Sequence, residues 1–106
     1  MDIKTVRSMA IRLVPLLKAL ANEDRILLLT HLAKEECDVM QLGEILQIKQ
    51  PTLSQQLGVV RRSGLVATRR EGKHIYYRTV NAEALAVMGQ ISALYRKTHG
   101  KKAALS

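Results

Sequence analysis

The sequence contains no phenylalanine, no tryptophan and only three tyrosines in 106 residues. Any core it builds is therefore aliphatic. A single cysteine, Cys37, excludes an intramolecular disulfide framework. The longest apolar stretches, such as Ile26-Leu27-Leu28-Leu29, fall far short of the roughly 20 residues that cross a bilayer, so no membrane partner is expected. Met1-Asp2-Ile3-Lys4 is followed by neither a long apolar run nor a small-residue cleavage site. The expectation is a reducing, cytoplasmic location, associated with the nucleoid if the partner is DNA.

What the chain does contain is enough apolar residue, 47%, to fold, at a length that allows one domain. We place that domain at residues 1–98, followed by a basic tail of small residues at 99–106. The net charge is +8, and it is unevenly spread. Residues 1–48 carry six Lys/Arg against seven Asp/Glu, residues 49–78 carry seven against one, and residues 79–106 carry four against one. A basic middle third points to a polyanionic partner more strongly than a high total charge does.

Apolar residues recur at three and four from Ile3 to Leu20 (Ile3, Val6, Met9, Leu13, Leu17, Leu20), which predicts one helix, bent at Pro15. Asn22 is placed to cap a second helix with Glu23 and Asp24 in its first turn and Ile26, Leu29, Leu32 and Ala33 facing inward. Asp38 caps a short third helix, Val39 to Leu46, with Leu42, Ile45 and Leu46 inward. After the connection Gln47-Ile48-Lys49, Pro51 opens a fourth helix whose buried stripe is Leu53, Leu57 and Val60 and which ends at Ser63-Gly64. Leu65–Arg69 and His74–Thr79 read as a β-hairpin around Arg70-Glu71-Gly72-Lys73, with a positive φ at Gly72. Asn81 caps a last helix with Leu85, Met88, Ile91 and Leu94 at helical spacing, a stripe better suited to a dimer interface than to the core of so small a chain.

The predicted class is mostly α with a hairpin wing (α+β), a winged helix-turn-helix. A short amphipathic helix precedes one whose outer face is polar and uncharged at its start, the arrangement that places a helix in the major groove. The exposed positions of the fourth helix are expected to be Thr52, Ser54, Gln55 and Gln56, with Gly58, Arg61 and Arg62 further along. Thr52, Ser54 and Gln55, preceded by Lys49 and Gln50, are the candidate base-reading residues, because Gln can pair bidentately with adenine and Ser or Thr with several base edges. Arg61, Arg62, Arg69, Arg70, Lys73 and Arg78 are the candidate phosphate contacts.

The run from Gln50 to Val66, with Arg69-Arg70-Glu71-Gly72-Lys73, Tyr76-Tyr77-Arg78 and the upstream Leu17 to Ile26, resembles the ArsR/SmtB family of bacterial repressors. The resemblance covers roughly residues 13 to 96. It implies a homodimer joined by its first and last helices, a fourth helix in the major groove, a wing along the minor groove, and repression by occupancy of a double-stranded operator. The helix-turn-helix segment is most similar to the BigR/HlyU-like subgroup.

The resemblance does not extend to the family's sensor positions. Metalloid-responsive members carry Cys-x-Cys where this chain has Asp38 and Met40, and Cys37 next to that register has no second thiol. The ligand places of zinc-responsive members hold Asn81, Glu83, Leu94 and Lys97. The subgroup's dithiol switch needs a cysteine near Thr30 and another near the C-terminus, and no cysteine follows Cys37. No metal or cofactor is expected, and no inducer is indicated.

Cys37 reads as a small apolar residue at a helix start, with a thiol sensor as the alternative. His31 reads as a half-buried spacer, and His74 as a wing residue that packs or touches phosphate. A basic winged helix that docks an acidic protein is the competing function. An enzyme lacks support, since no nucleophile–base pair, carboxylate dyad or metal-ligand spacing stands out.

Overall fold

The computed structural model describes the backbone of residues 1–105 and the side chains of residues 1–99. Helix α1 (Ile3–Leu20) starts at Asp2, whose side chain accepts from the Thr5 N–H at 2.8 Å, and it runs unbroken through Pro15. Helix α2 (Glu23–Lys34) starts at Asn22, whose side chain accepts from the Arg25 N–H at 3.0 Å. Both caps satisfy donors that the first turn of a helix leaves open.

A two-residue strand, β1 (Cys37–Asp38), follows; so short a segment carries no period, which is why the sequence did not announce it. Asp38 then caps α3 (Val39–Leu46). Its Oδ1 accepts from the Gln41 N–H at 2.8 Å, and Gln41 Oε1 accepts from the Asp38 N–H at 2.9 Å, a reciprocal capping box. Gln47 ends α3 in the left-handed region (φ 56°), and Ile48, buried in the turn, leads to α4 (Thr52–Arg62).

The end of α4 is set by Gly64, at φ 73°. The Gly64 N–H donates to the Arg61 carbonyl at 3.1 Å and the Leu65 N–H to the Val60 carbonyl at 3.0 Å, while Leu65 and Val60 are both buried. This is a Schellman closure with its apolar contact, and it aims the chain into β2 (Val66–Glu71). Strand β3 (His74–Thr79) returns after the two-residue loop Gly72-Lys73, with Gly72 at φ 62° as expected. Arg70 and Glu71 lie in β2 rather than in the turn. The antiparallel sheet has the order β1-β3-β2, with Cys37 opposite Tyr77 and Arg69 opposite Tyr76.

The core gathers on α2. Leu28, Leu29 and Leu32 are buried there, joined by Leu16, Ala19 and Leu20 of α1, Leu42 of α3, Leu53, Leu57 and Val60 of α4, Val66 of β2 and Ala84 of the last helix. Burying each such leucine is worth about 1.5–3 kcal/mol. Thr79 is buried as well, and its hydroxyl donates to the Leu29 carbonyl at 2.9 Å, fastening β3 to α2.

Three expected core residues are not in it. Ile26, Ala33 and Ile45 are exposed, and Leu28, omitted from the expected stripe, has no exposure at all. In α2, where four apolar residues are consecutive, the face that meets α4 and β3 is chosen by those partners, which periodicity cannot see.

Helix α5 (Ala82–Leu105) is capped by Asn81, whose side chain accepts from the Ala84 N–H at 2.8 Å. It continues past Thr98, where a tail was expected; Lys and Ala are good helix formers, and no Pro stops them. Most of the 99–106 segment lies outside the described side chains. Arg12 of α1 pairs with Glu83 of α5, holding the Glu83 carboxyl below its ordinary pKa. Apart from that link, α1 and α5 leave apolar side chains open: Ile11 is 72% and Leu94 61% exposed, with Val14, Leu17 and Ile91 beside them. The radius of gyration is 15.6 Å, whereas a compact domain of this length has about 13 Å. The two terminal helices reach beyond the core.

Gly64→Ala is expected to lower the unfolding free energy by about 1–2 kcal/mol, because nothing lies within 4 Å of the added Cβ and the left-handed φ is the whole penalty. Gly64→Asn should lose clearly less. Urea denaturation with an unchanged slope checks both, and equal losses would contradict the backbone explanation.

Candidate nucleic-acid interface

On α4 the buried stripe Leu53, Leu57 and Val60 turns the opposite face outward. Ser54, Gln55, Arg61 and Arg62 are exposed there, whereas Thr52 is half-buried. Gln56 is also half-buried, and its Oε1 accepts from Arg25 Nη1 at 2.8 Å. Gln50 is exposed in the turn, with its side-chain carbonyl accepting from the Ser54 N–H at 3.0 Å, so it serves α4 as a cap; Lys49 is exposed beside it.

Sequence reasoning missed Arg25. Its Nε donates to the Ala19 carbonyl at 2.6 Å and its Nη2 to the Lys18 carbonyl at 3.1 Å, while Nη1 reaches Gln56. One planar guanidinium thus closes the C-terminus of α1 and fixes α4 against it. The signal was present in Asn22-Glu23-Asp24-Arg25, but the partners are 6 to 31 residues away along the chain.

The hairpin sorts the remaining basic residues by side. Pairing places Arg70 and Ile75 on the same face as Thr68, Tyr77, Val66 and Thr79, the face that carries the core. Arg69, Tyr76, Ala67 and Arg78 share the other face. Arg69 is fully engaged: its Nε meets Glu36 at 2.7 Å, its Nη1 meets Glu71 at 2.6 Å, and its Cζ sits 4.6 Å from the centre of the Tyr76 ring. The two carboxylates raise its pKa, and Arg69 in turn lowers that of Glu71. Arg69 is therefore a structural tie, not a free cation. Arg70 and Lys73, at the wing tip, are exposed, and so is Arg78. Among the described residues, no side-chain hydrogen bond or ion pair occupies Ser54, Gln55, Arg61, Arg62, Arg70, Lys73 or Arg78.

His74, read as a wing residue, pairs Nδ1 with Asp38 Oδ2 at 3.1 Å, which joins the wing to the cap of α3. Cys37 is 1% exposed. Burial, then Glu35, Asp38 and Glu36, push its thiol pKa up, the reverse of what a reactive thiol needs.

Arg25→Ala is expected to cost about 1–3 kcal/mol, since two carbonyls and the Gln56 amide lose a charged donor. Arg25→Lys should not restore this, because an ammonium cannot span three acceptors held by a planar fork. Chemical denaturation of the two variants checks the point, and rescue by lysine would refute it.

Residues 22–68 match the profile described as bacterial regulatory protein, arsR family. The chain is 46% identical over 80 residues to the biofilm growth-associated repressor of Agrobacterium fabrum, spanning 76% of this chain and 68% of that protein. It is 36% identical over 95 residues to the transcriptional activator HlyU of Vibrio cholerae, spanning 90% and 88%. The crystal structure of the transcriptional repressor BigR from Xylella fastidiosa superposes with a TM-score of 0.83 at 38% identity, covering 90% of this chain and 97% of that one. A homodimeric winged helix-turn-helix DNA-binding domain from Mycobacterium bovis does so with a TM-score of 0.72 at 27% identity, covering 92% and 88%. A winged helix-turn-helix with an outward polar face on α4 and this degree of likeness is a DNA-binding transcriptional regulator, and the chain belongs to the arsR family of bacterial regulatory proteins.

Proposed function

We propose that the protein is a homodimeric repressor that occupies an inverted-repeat operator in cytoplasmic, nucleoid DNA, with no catalytic role. The observation that carries this reading is the unoccupied row Ser54, Gln55, Arg61 and Arg62 on α4, rigidly seated by Arg25 and flanked by Arg70 and Lys73 at the wing tip. Short polar groups at the start of α4 suit base edges, and the guanidiniums at its end suit the phosphates that frame them. Lys49 and Arg78 extend the positive field, Gln50 acts chiefly by holding the start of α4, and Thr52 lies half-buried beside Ser54 at the edge of the reading face.

The dimer reading rests on the apolar side chains that α1 and α5 leave open, Ile11, Val14, Leu17, Ile91 and Leu94 among them. A second copy would cover them, and the homodimeric state of the Mycobacterium bovis domain supports a dimer. Among the described residues, no helix is long and apolar enough to cross a membrane. Relatives include a repressor and an activator, so the sign of regulation is read from operator occupancy and not from their names.

Selection from a random duplex pool should recover an inverted repeat with half-sites about one helical turn apart. Equal, salt-sensitive binding to all duplexes would overturn the reading and favour a basic module that docks an acidic protein. In a reporter assay the same operator, placed over the promoter, should lower expression.

Gln55→Ala is expected to cost about 1–3 kcal/mol on the selected site and to relax base preference at one position of each half-site. Unaltered preference would remove Gln55 from base reading. Arg70→Gln and Lys73→Gln should each reduce the slope of log affinity against log salt by about one unit for every duplex. Arg69→Gln should leave that slope nearly unchanged, because its charge is already matched by Glu36 and Glu71; a full-unit loss there would mean that the ion pairs open on DNA.

A further inference from the structure

Where α2 ends and β1 begins, the fold assembles three donors that neither the helix nor the strand explains. His31 and Glu35 stand one turn apart at the end of α2, and the chain then reverses so that Cys37, held opposite Tyr77 in the sheet, returns beneath the helix end. One ligand atom from each of the three residues, all mutually within 4.8 Å, forms the cluster, and His31 Nε2 lies 3.9 Å from Glu35 Oε2.

His31 Nε2 is buried and, among the described residues, makes no hydrogen bond. Leaving such a group unsatisfied costs about 1–3 kcal/mol, so its retention calls for a partner. The neighbouring acids are largely committed elsewhere: Glu36 to Arg69, and Asp38 to the Gln41 N–H and His74. Glu35 and the Cys37 sulfur are what face it.

We propose that His31 Nε2, a Glu35 carboxylate oxygen and the Cys37 sulfur bind a borderline divalent transition metal of the zinc class, with water in the fourth position. A nitrogen, an oxygen and a sulfur donor together suit such an ion, whereas calcium and magnesium take oxygen alone. Tetrahedral coordination brings ligand atoms to about 3.3–3.8 Å from one another, so the cluster needs only to tighten. The exposed Glu35 and half-buried His31 side chains can rotate to do this.

On binding, the Cys37 S–H bond breaks, the sulfur's electron pair passes to the metal and the proton leaves to solvent; nothing is oxidised or reduced. The negative groups that disfavour a bare thiolate, Glu35, Glu36 and Asp38, favour a cation at the same point. The site is separate from Asp38 and Met40 and from Asn81, Glu83, Leu94 and Lys97 at and along α5. It adjoins Asp38, the cap of α3.

The test uses the full, reduced, metal-free protein titrated with cobalt(II) and then zinc(II), in the absence of DNA. The expected result is one cobalt per chain, a thiolate-to-cobalt charge-transfer band, visible bands of four-coordinate intensity, and loss of all of them on adding zinc. Zinc should also raise Tm, as a ligand of the native state does. Cys37→Ser should abolish the charge-transfer band. His31→Gln and Glu35→Gln should each weaken cobalt binding about tenfold or more. Glu35 is exposed, so its variant is expected to fold even if the Cys37 variant does not. His99→Gln should change nothing. Absence of the charge-transfer band, wild-type affinity in the Glu35 and His31 variants, or loss of binding in the His99 variant would each overturn the proposal. None of these outcomes bears on operator binding.

Discussion

The packing of α2 is the constraint on which the other elements depend. Without phenylalanine or tryptophan, the chain has to make its core from short aliphatic side chains, and these fill space only when several elements converge on one helix. Leu28, Leu29 and Leu32 provide that helix, and α1, α3, α4 and β3 each meet it or its immediate neighbours. Two polar contacts then remove the remaining freedom. Thr79 fixes the sheet to the Leu29 carbonyl, and Arg25 fixes α1 and α4 together from the first turn of the same helix. The outward face of α4 is thus rigid because its inward face and one flank are determined by α2.

Rigid seating matters for a surface that reads DNA. A helix held by its own core places side chains at fixed positions, so that a short Ser or Gln can meet a base edge without a large ordering cost. The same economy applies to charge. Seven cations lie between residues 49 and 78, yet they do not act alike. Arg69 is neutralised by two carboxylates and stacked on Tyr76, which stiffens the hairpin, while Arg70 and Lys73 are exposed at its tip. A positive stretch in sequence thereby becomes one internal brace and a few exposed cations.

The edge of the sheet shows how little chain is needed to join regions that are distant in sequence. Strand β1 has two residues, but it puts Cys37 beneath the end of α2 and Asp38 at the start of α3, within reach of His74 on the wing. Along this edge Arg69 joins Glu36 to Glu71, and His74 Nδ1 meets the Asp38 carboxylate. The first helix of the helix-turn-helix is therefore coupled to the wing through the Asp38–His74 contact as well as through the core.

Much of this was legible in local chemistry. Asn22, Asp38 and Asn81 announced three helix starts, Gly64 and Gly72 announced a helix end and a hairpin loop, and Leu53, Leu57 and Val60 announced the buried side of α4, because caps, positive φ and period are properties of neighbouring residues. With them came the winged helix-turn-helix order and the exposure of Ser54, Gln55, Arg61 and Arg62 on α4. What only the tertiary structure decided was which side of an already apolar helix is buried, so that Leu28 replaced Ile26 and Ala33, and Ile45 was left outside. It also decided which cations are free, since Arg69 depends on Glu36 across 33 residues, and which polar groups converge, as Arg25 with Gln56 and His31 with Cys37. Those outcomes depend on distances between elements, and a one-dimensional pattern contains no information about them until the elements are packed.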